Sequence, residues 1–458
     1  MNEDLYMNRK KMTSDMLNSG IIKFSIPVIF MMLYVMTNFQ FLFYTFFLIS
    51  IYLGIKKPIY LVPVYMISSF LDVGFESYGS ISKFLFFIIV ISFLRTSLTR
   101  NFRFQTNNFL FLLVILLFSF ISTLTSISQD FNAFFQILMN VVMFFIITNL
   151  VVKDTKVFLE ILIFTFILTL FFYIATLVIN WDIVSFQISI GDRVSLDERF
   201  NPNRFSMALV QMSSGLVGYF LIKRKFTLYK LIIILIILIS IFLIFISGSR
   251  SSLIGIIGAL IFSQLFLSNS KNIYKRISGL LILGGAILIA YNLVNLIDPH
   301  ILDRFTIASI LESGGTGRLN IWRVLFSEVI PENLLFGVGI GGENVIIAIS
   351  PYLTLPKPAH NFIIDMLVQV GIVGVFIFML FYVKNVIKIF RNIKYNPYLS
   401  IPVMMILAAI FNGIGETIYL ERFFWNSLAL GILIVSATFK ENSNENEKAM
   451  YKNENIKT

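Results

Sequence analysis

The residues best suited to chemistry in this chain are Ala359-His360-Asn361, followed after nine residues by Gly371-Ile372-Val373-Gly374. His360 is one of only two histidines; it follows the proline-rich stretch from Pro351 to Pro358 and stands at the mouth of a long apolar run. A free imidazole titrates near pH 6.5, which suits general-base work at neutral pH. The plainer alternative is a histidine that only caps a helix or sits in a loop. His300, in Asp298-Pro299-His300, reads as a turn residue. The two histidines are too far apart in sequence for a recognisable zinc spacing, so no metal site is expected.

Arg250 is the second candidate. In Ser247-Gly248-Ser249-Arg250-Ser251-Ser252 it lies between two apolar runs, where an ionisable group is costly and by default functional. The competing account is an interfacial arginine that snorkels to headgroups. Its small neighbours permit close helix approach, and their hydroxyls can hydrogen-bond a phosphate. Gly337-Val338-Gly339-Ile340-Gly341-Gly342 fits G-x-G-x-x-G but lacks a strand-helix-strand setting, so it reads as tight turns or re-entrant backbone and not as a dinucleotide site. Asp365 follows His360 by five residues, about 140° round a helix, so a direct orienting pair is not expected. Glu416, Glu421 and Arg422 border the turn between the last two apolar runs and read as a simple ion pair.

The elements that must position these groups are membrane helices. Hydrophobic residues make up 57% of the chain and charged ones 13%, with a mean hydropathy of +0.85. That composition excludes a soluble domain and predicts an all-α polytopic integral membrane protein. A span needs roughly 20 apolar residues. Runs at 24–38, 40–55, 59–72, 83–94, 107–126, 131–152, 157–179, 204–222, 228–247, 251–268, 278–296, 361–383, 399–415 and 423–439 give about 12–14 transmembrane helices, the lower figure if short pairs merge. The organisation expected is a cytoplasmic N-terminus (1–23), a bundle of about eleven spans (24–296, with a loop at 180–203), a large extracytoplasmic loop (297–360), three more spans (361–439) and a disordered cytoplasmic tail (440–458). The first apolar run is too closely followed by another to be a signal peptide and is expected to stay as an anchor. With no cysteine, disulfides and thiolate metal sites are excluded.

Charge placement tests this topology. With the N-terminus inside, 26 of the 36 Lys and Arg fall on the cytoplasmic side, as the positive-inside rule requires. The net charge of +11 is therefore topology and not nucleic-acid binding. Of the ten basic residues left on the other side, eight are arginine, against seven of the 26 inside. Headgroups do not distinguish Arg from Lys, whereas a guanidinium suits bidentate phosphate or carboxylate binding. Pairing with the acids of that side is the alternative. The loop at 297–360 is far longer than ordinary connections. Within it Thr316 can cap an amphipathic helix, with Leu319, Trp322, Leu325, Phe326, Val329 and Ile330 on one face and Pro331 as its stop. Lying on the membrane surface, it would present Arg318 and Arg323 on its polar face.

These residues together resemble the O-antigen ligase and O-antigen polymerase superfamily of bacterial membrane glycosyltransferases. His360-Asn361, nine residues, then Gly371-x-x-Gly374 is similar to that family's H-[NSQ]-x9-G-x-x-G signature. Arg199-Phe200-Asn201-Pro202-Asn203, Ser249-Arg250-Ser251, and Thr316-Gly317-Arg318 with Trp322 extend the resemblance over roughly residues 195–380. The arginine motif departs from the ligase pattern R-x3-L, because Leu253 gives R-x2-L. The resemblance implies an undecaprenyl-diphosphate-linked oligosaccharide as substrate and transfer without a cofactor at the extracytoplasmic face of the bacterial cytoplasmic membrane, with both termini cytoplasmic. It makes His360 the general base and Arg250 and Arg318 the stabilisers of the departing diphosphate. Arg199, Asn203, Arg204, Arg323, Trp322 and Asn361 would bind substrate. The bilayer, a chain-length regulator and a flippase of the same pathway are the partners it suggests. Polymerase and ligase differ in acceptor, and a transporter or flippase is the alternative of another class.

Overall fold

A computed structural model describes residues 23, 25–69, 74–75, 79–99, 108–152, 154–189, 193–194, 201–222, 228–267, 284–285, 287–296, 302–303, 305–306 and 317–454. Apart from turns and one two-residue antiparallel pair, Gly74–Phe75 with Gly79–Ser80, regular structure there is helical. In chain order the helices are α1 (Ser25–Thr37), α2 (Gln40–Lys56), α3 (Val62–Ser68), α4 (Ile81–Thr99), α5 (Phe109–Thr125), α6 (Phe131–Asn149), α7 (Thr155–Ile179), α8 (Trp181–Ser189), α9 (Pro202–Ile222), α10 (Leu228–Ile246), α11 (Arg250–Phe262), α12 (Ile287–Leu296), α13 (Arg318–Val324), α14 (Gly342–Ile349), α15 (Phe362–Asn392), α16 (Ser400–Asn412) and α17 (Arg422–Glu454). A single further turn at Ile330–Glu332 ends α13's path. Helix is the form such apolar runs must take, since a chain in hydrocarbon has to satisfy its own backbone groups.

The protein is polytopic. Among the described residues seven helices (α4, α6, α7, α9, α10, α15 and Arg422–Phe439 of α17) are long and apolar enough to cross a membrane, and shorter apolar helices accompany them. The expected span at 83–94 is longer than read, Ile81–Thr99, and that at 361–383 runs on to Asn392. Residues 278–283 lie outside the described residues. Beyond Lys440 α17 continues to Glu454, where a disordered tail was expected. Glu, Lys, Ala and Met in that stretch are good helix formers, and they extend a helix already nucleated by its apolar half.

The bundle is organised around α16, which packs against α9, α11 and α17, while α17 packs on α6. Ser400 to Ala409 of α16 and Phe205 to Tyr219 of α9 are buried without interruption. Small residues bring the backbones together. A Cβ at Gly218 would lie 2.5 Å from the Ser400 carbonyl oxygen, and one at Gly255 would lie 3.1 Å from that of Ala408. The Ser400 hydroxyl donates to the Gly218 carbonyl at 2.7 Å. The serines beside Arg250 serve the same packing: Ser252 shares a hydrogen bond with Ser206 of α9 at 2.8 Å and accepts from Asn412 of α16 at 3.2 Å. Those hydroxyls, expected to be open to a phosphate, are buried between helices.

One break in a helix decides how the site is built. Gly371 interrupts α15 with φ 60° and ψ −174°, which frees carbonyls before it and N–H groups after it. The glycine-rich stretch fills the gap. Val338 and Gly339 donate to the carbonyls of Val368 (2.8 Å) and Gln369 (3.0 Å), and Ile372 and Val373 donate to those of Leu334 (2.8 Å) and Leu335 (3.2 Å). Glycine is required on both sides: a Cβ at Gly371 would meet the Leu335 carbonyl carbon at 2.4 Å, and one at Gly337 the Gln369 carbonyl carbon at 2.4 Å. The re-entrant-backbone reading of Gly337–Gly342 fits this exchange, and it gives Gly371 of the signature a steric reason. Gly371→Ala should therefore cost several kcal/mol, because both its positive φ and the clash oppose a side chain. The check is thermal unfolding in detergent, where a melting temperature equal to wild type would contradict the exchange.

Candidate active site

The site grows from three residues pinned from several sides. The Asp365 carboxylate, wholly buried in the first turn of α15, accepts from the Ala359 N–H at 3.0 Å, the Asn361 N–H at 3.3 Å and the Thr417 hydroxyl. Asn361 caps α15, its Oδ1 accepting from Ile363 and Ile364 at 3.1 Å each, and its Nδ2 donates to the Ile414 carbonyl at 3.0 Å. The Trp322 indole N–H donates to the Ala359 carbonyl at 2.8 Å. With both neighbours held, His360 takes φ 50°, left-handed backbone that histidine enters more readily than most residues but still at a cost. The imidazole then faces the turn between α16 and α17.

Glu416 meets it there. Its Oε2 lies 3.5 Å from His360 Nδ1, and its Oε1 lies 3.9 Å from Arg318 Nη2. The carboxylate side chain is only 11% exposed, against 33% for His360. At 3.5 Å the pair is long for a hydrogen bond, as dyads often are before a substrate tightens them. A carboxylate facing Nδ1 favours the proton there and leaves Nε2 as the free base. Arg318 arrives from α13, whose start is the left-handed Gly317 (φ 79°) with no side-chain cap. Its Nε is buried without a hydrogen-bond partner, as is Glu416 Oε1. Gly415 brings in α11: a Cβ there would lie 2.8 Å from Ser251 Cβ and 3.2 Å from Arg318 Nη1. Arg250, half-buried, is the residue before Ser251 and the first of α11.

The large loop supplies the platform for Arg318. Ile321, Leu325, Val329 and Ile330 pack with Val345 and Ile349 of α14, Ala359 and Val368 in a small core of their own. That face differs from the one expected. Leu319 and Phe326 are each 53% exposed, while Ile321 takes a buried place and Leu325, Val329 and Ile330 stay on the core side as expected; a π-helical turn runs over Leu325–Val329. Pro331 sits inside the last turn at Ile330–Glu332 and does not stop the helix before it. Thr316, expected as the cap, lies outside the described residues.

The other expected residues divide. Trp322 and Asn361 direct their polar atoms to backbone and so hold His360 in place. Asn203 accepts from the Arg193 guanidinium. Arg323 is exposed in the last turn of α13. Arg204 pairs with Glu421 at 3.8 Å. Arg199 and His300 lie outside the described residues. Sequence reasoning missed Glu416, which it placed in a local ion pair with its neighbours. The available signal was an acidic residue closing an apolar run on the same side of the charge alternation as His360. Nearby, the buried Tyr419 phenol is pushed well above its ordinary pKa, chiefly by burial. It stays neutral, and its O–H donates to Gln369 Oε1, which also accepts from the Gly341 N–H at 2.8 Å.

An imidazole, a buried carboxylate and a guanidinium with an unpaired N–H, set at the end of a membrane bundle, can move a proton and hold an anion at once. Residues 234–379 match the family model described as O-antigen ligase. The match supports the resemblance to the O-antigen ligase and polymerase superfamily of membrane glycosyltransferases. It includes Arg250, Arg318, His360 and both signature glycines, while Glu416 lies beyond it. A search of curated proteins found no match.

Proposed function

We propose that the protein is a polysaccharide polymerase that transfers an undecaprenyl-diphosphate-linked glycan to a sugar hydroxyl at the extracytoplasmic face of the cytoplasmic membrane. The observation that carries this is Glu416, which holds the base His360 and the cation Arg318 at one carboxylate. In the reaction the acceptor hydroxyl oxygen bonds to the anomeric carbon as the bond from that carbon to the diphosphate breaks. The hydroxyl proton goes to His360 Nε2, and Glu416 stabilises the imidazolium. The diphosphate leaves with its charge facing Arg318 and Arg250, and the proton passes to solvent as products depart. One displacement of this kind inverts the anomeric configuration and uses no metal. Trp322, Asn361 and Asp365 act as positioning residues. The arginine-rich, lysine-poor set that includes Arg250 and Arg318 supports the extracytoplasmic side.

The description of the matched family favours a second reading, in which a finished glycan moves to lipid A core or another acceptor. Glycan analysis of a deletion strain separates them. Polymerase activity requires that the carrier then hold single repeats, whereas ligase activity requires full-length chains stranded on the carrier. Wild-type chain length together with normal transfer to the final acceptor would sink both.

A further inference from the structure

Three consecutive large apolar side chains, Leu334, Leu335 and Phe336, are exposed in the loop between the Ile330–Glu332 turn and α14. Single exposed apolar residues are ordinary, but a run of three on a water-facing loop is not. Leu335 is 58% exposed and Phe336 63%. Their place along α15 accounts for them. The Leu334 and Leu335 carbonyls accept from the N–H groups of Ile372 and Val373, and Ile372 lies within a run from Met366 to Val383 that carries no charge. At 1.5 Å per residue that run covers most of the roughly 30 Å hydrocarbon core, and Ile372 is about 9 Å inside it. The carbonyls bonded there share that depth. Along α15, long and apolar enough to span, Ile372, Phe376, Leu380 and Val383 are exposed at helical spacing, the stripe that such a helix turns to lipid. The three loop residues stand beside its Ile372 end.

We propose that Asn333 to Gly342 dip into the leaflet on the side of His360 as a re-entrant segment, with Leu334, Leu335 and Phe336 in contact with lipid acyl chains. No charge falls within those residues, while Glu332 and Glu343, both exposed, flank them, as a segment that leaves and regains the aqueous rim requires. Non-helical backbone is tolerated at that depth only where protein satisfies it. Here α15 supplies partners at its break. Besides serving the two carbonyls, it accepts from the Val338 and Gly339 N–H groups at Val368 and Gln369, and from the Gly341 N–H at Gln369 Oε1. The break at Gly371 is thus what lets a loop enter the hydrocarbon. The partner is the bilayer and the consequence is mechanical: α13 runs through its π-helical turn into this wedge, and Val368 of α15 packs in the small core that carries α13. The helix bearing Arg318 is thereby tied to the membrane at a fixed depth.

The chain has no cysteine, so single nitroxide labels at Phe336→Cys, Ile372→Cys and Leu355→Cys each report one position in the full-length protein. Leu355, also exposed, lies in the stretch from Pro351 to Pro358, outside the apolar run. In nanodiscs of phosphatidylethanolamine and phosphatidylglycerol, relaxation of each label by oxygen and by a water-soluble nickel chelate is measured. Because hydrocarbon holds no water, nickel access at 336 and 372 should be about tenfold below that at 355, with oxygen access higher at both. Leu335→Cys repeats the reading if Phe336→Cys fails to fold. Nickel access at 336 or 372 as high as at 355 would overturn the insertion. Low access to both agents at 336, as when a second copy of the chain covers the patch, would overturn lipid as the partner. No substrate enters the measurement, so either failure leaves the proposed function standing.

Discussion

His360→Ala should slow glycan transfer about 10²- to 10⁴-fold at neutral pH, the range a positioned general base supplies, with membrane abundance unchanged. The two effects separate because the imidazole is one-third exposed and contributes little packing, whereas its backbone is fixed by Asp365, Asn361 and Trp322 through neighbouring residues. Alanine leaves those bonds in place and removes the ring, with a small added backbone cost where φ is 50°. The measurement is product length and rate with defined lipid-linked repeats, alongside immunoblotting of membranes. Wild-type product from a well-expressed His360→Ala protein would remove the base from the mechanism.

Arg318→Ala should cost about 10²- to 10³-fold in turnover, as loss of one preorganised anion-stabilising donor does elsewhere. Arg318 has its Nε buried and unpartnered, and among the described residues its one ion pair is the long one to Glu416. The guanidinium is thus held near a carboxylate without being saturated by it, which leaves donors for a departing diphosphate. Lysine at this position should restore little, since a single ammonium cannot offer the planar fork that spans two phosphate oxygens. Turnover of Arg318→Lys equal to wild type would show that charge alone suffices and that the fork has no role.

The fold class was readable because hydrocarbon leaves a chain few choices. Long apolar runs must be helices, and their charged ends report sidedness one loop at a time. Arg250, Arg318 and His360 stood out for a similar reason: charged or titratable groups beside apolar runs are costly, so their retention signals use. The errors lay where one element depends on another. On α13 Ile321 and not Leu319 faces the small core, because that core is made with α14, Ala359 and Val368, residues that helical periodicity within one segment cannot register. Glu416 looked paired with Arg422, yet the two side chains point to different partners, Glu416 to His360 and Arg318, and Arg422 to Ser82.

By itself the sequence determined an all-helical membrane protein and a histidine with a glycine pair at fixed spacing behind it. Tertiary structure alone decided what those features touch. Gly371 matters because a second chain segment hydrogen-bonds into the helix it breaks, and His360 matters because α15, α13 and the turn after α16 converge on it. Both are relations between residues distant in sequence, set by steric fit and by the need to satisfy buried backbone groups. Spacing along the chain records only one side of such a contact.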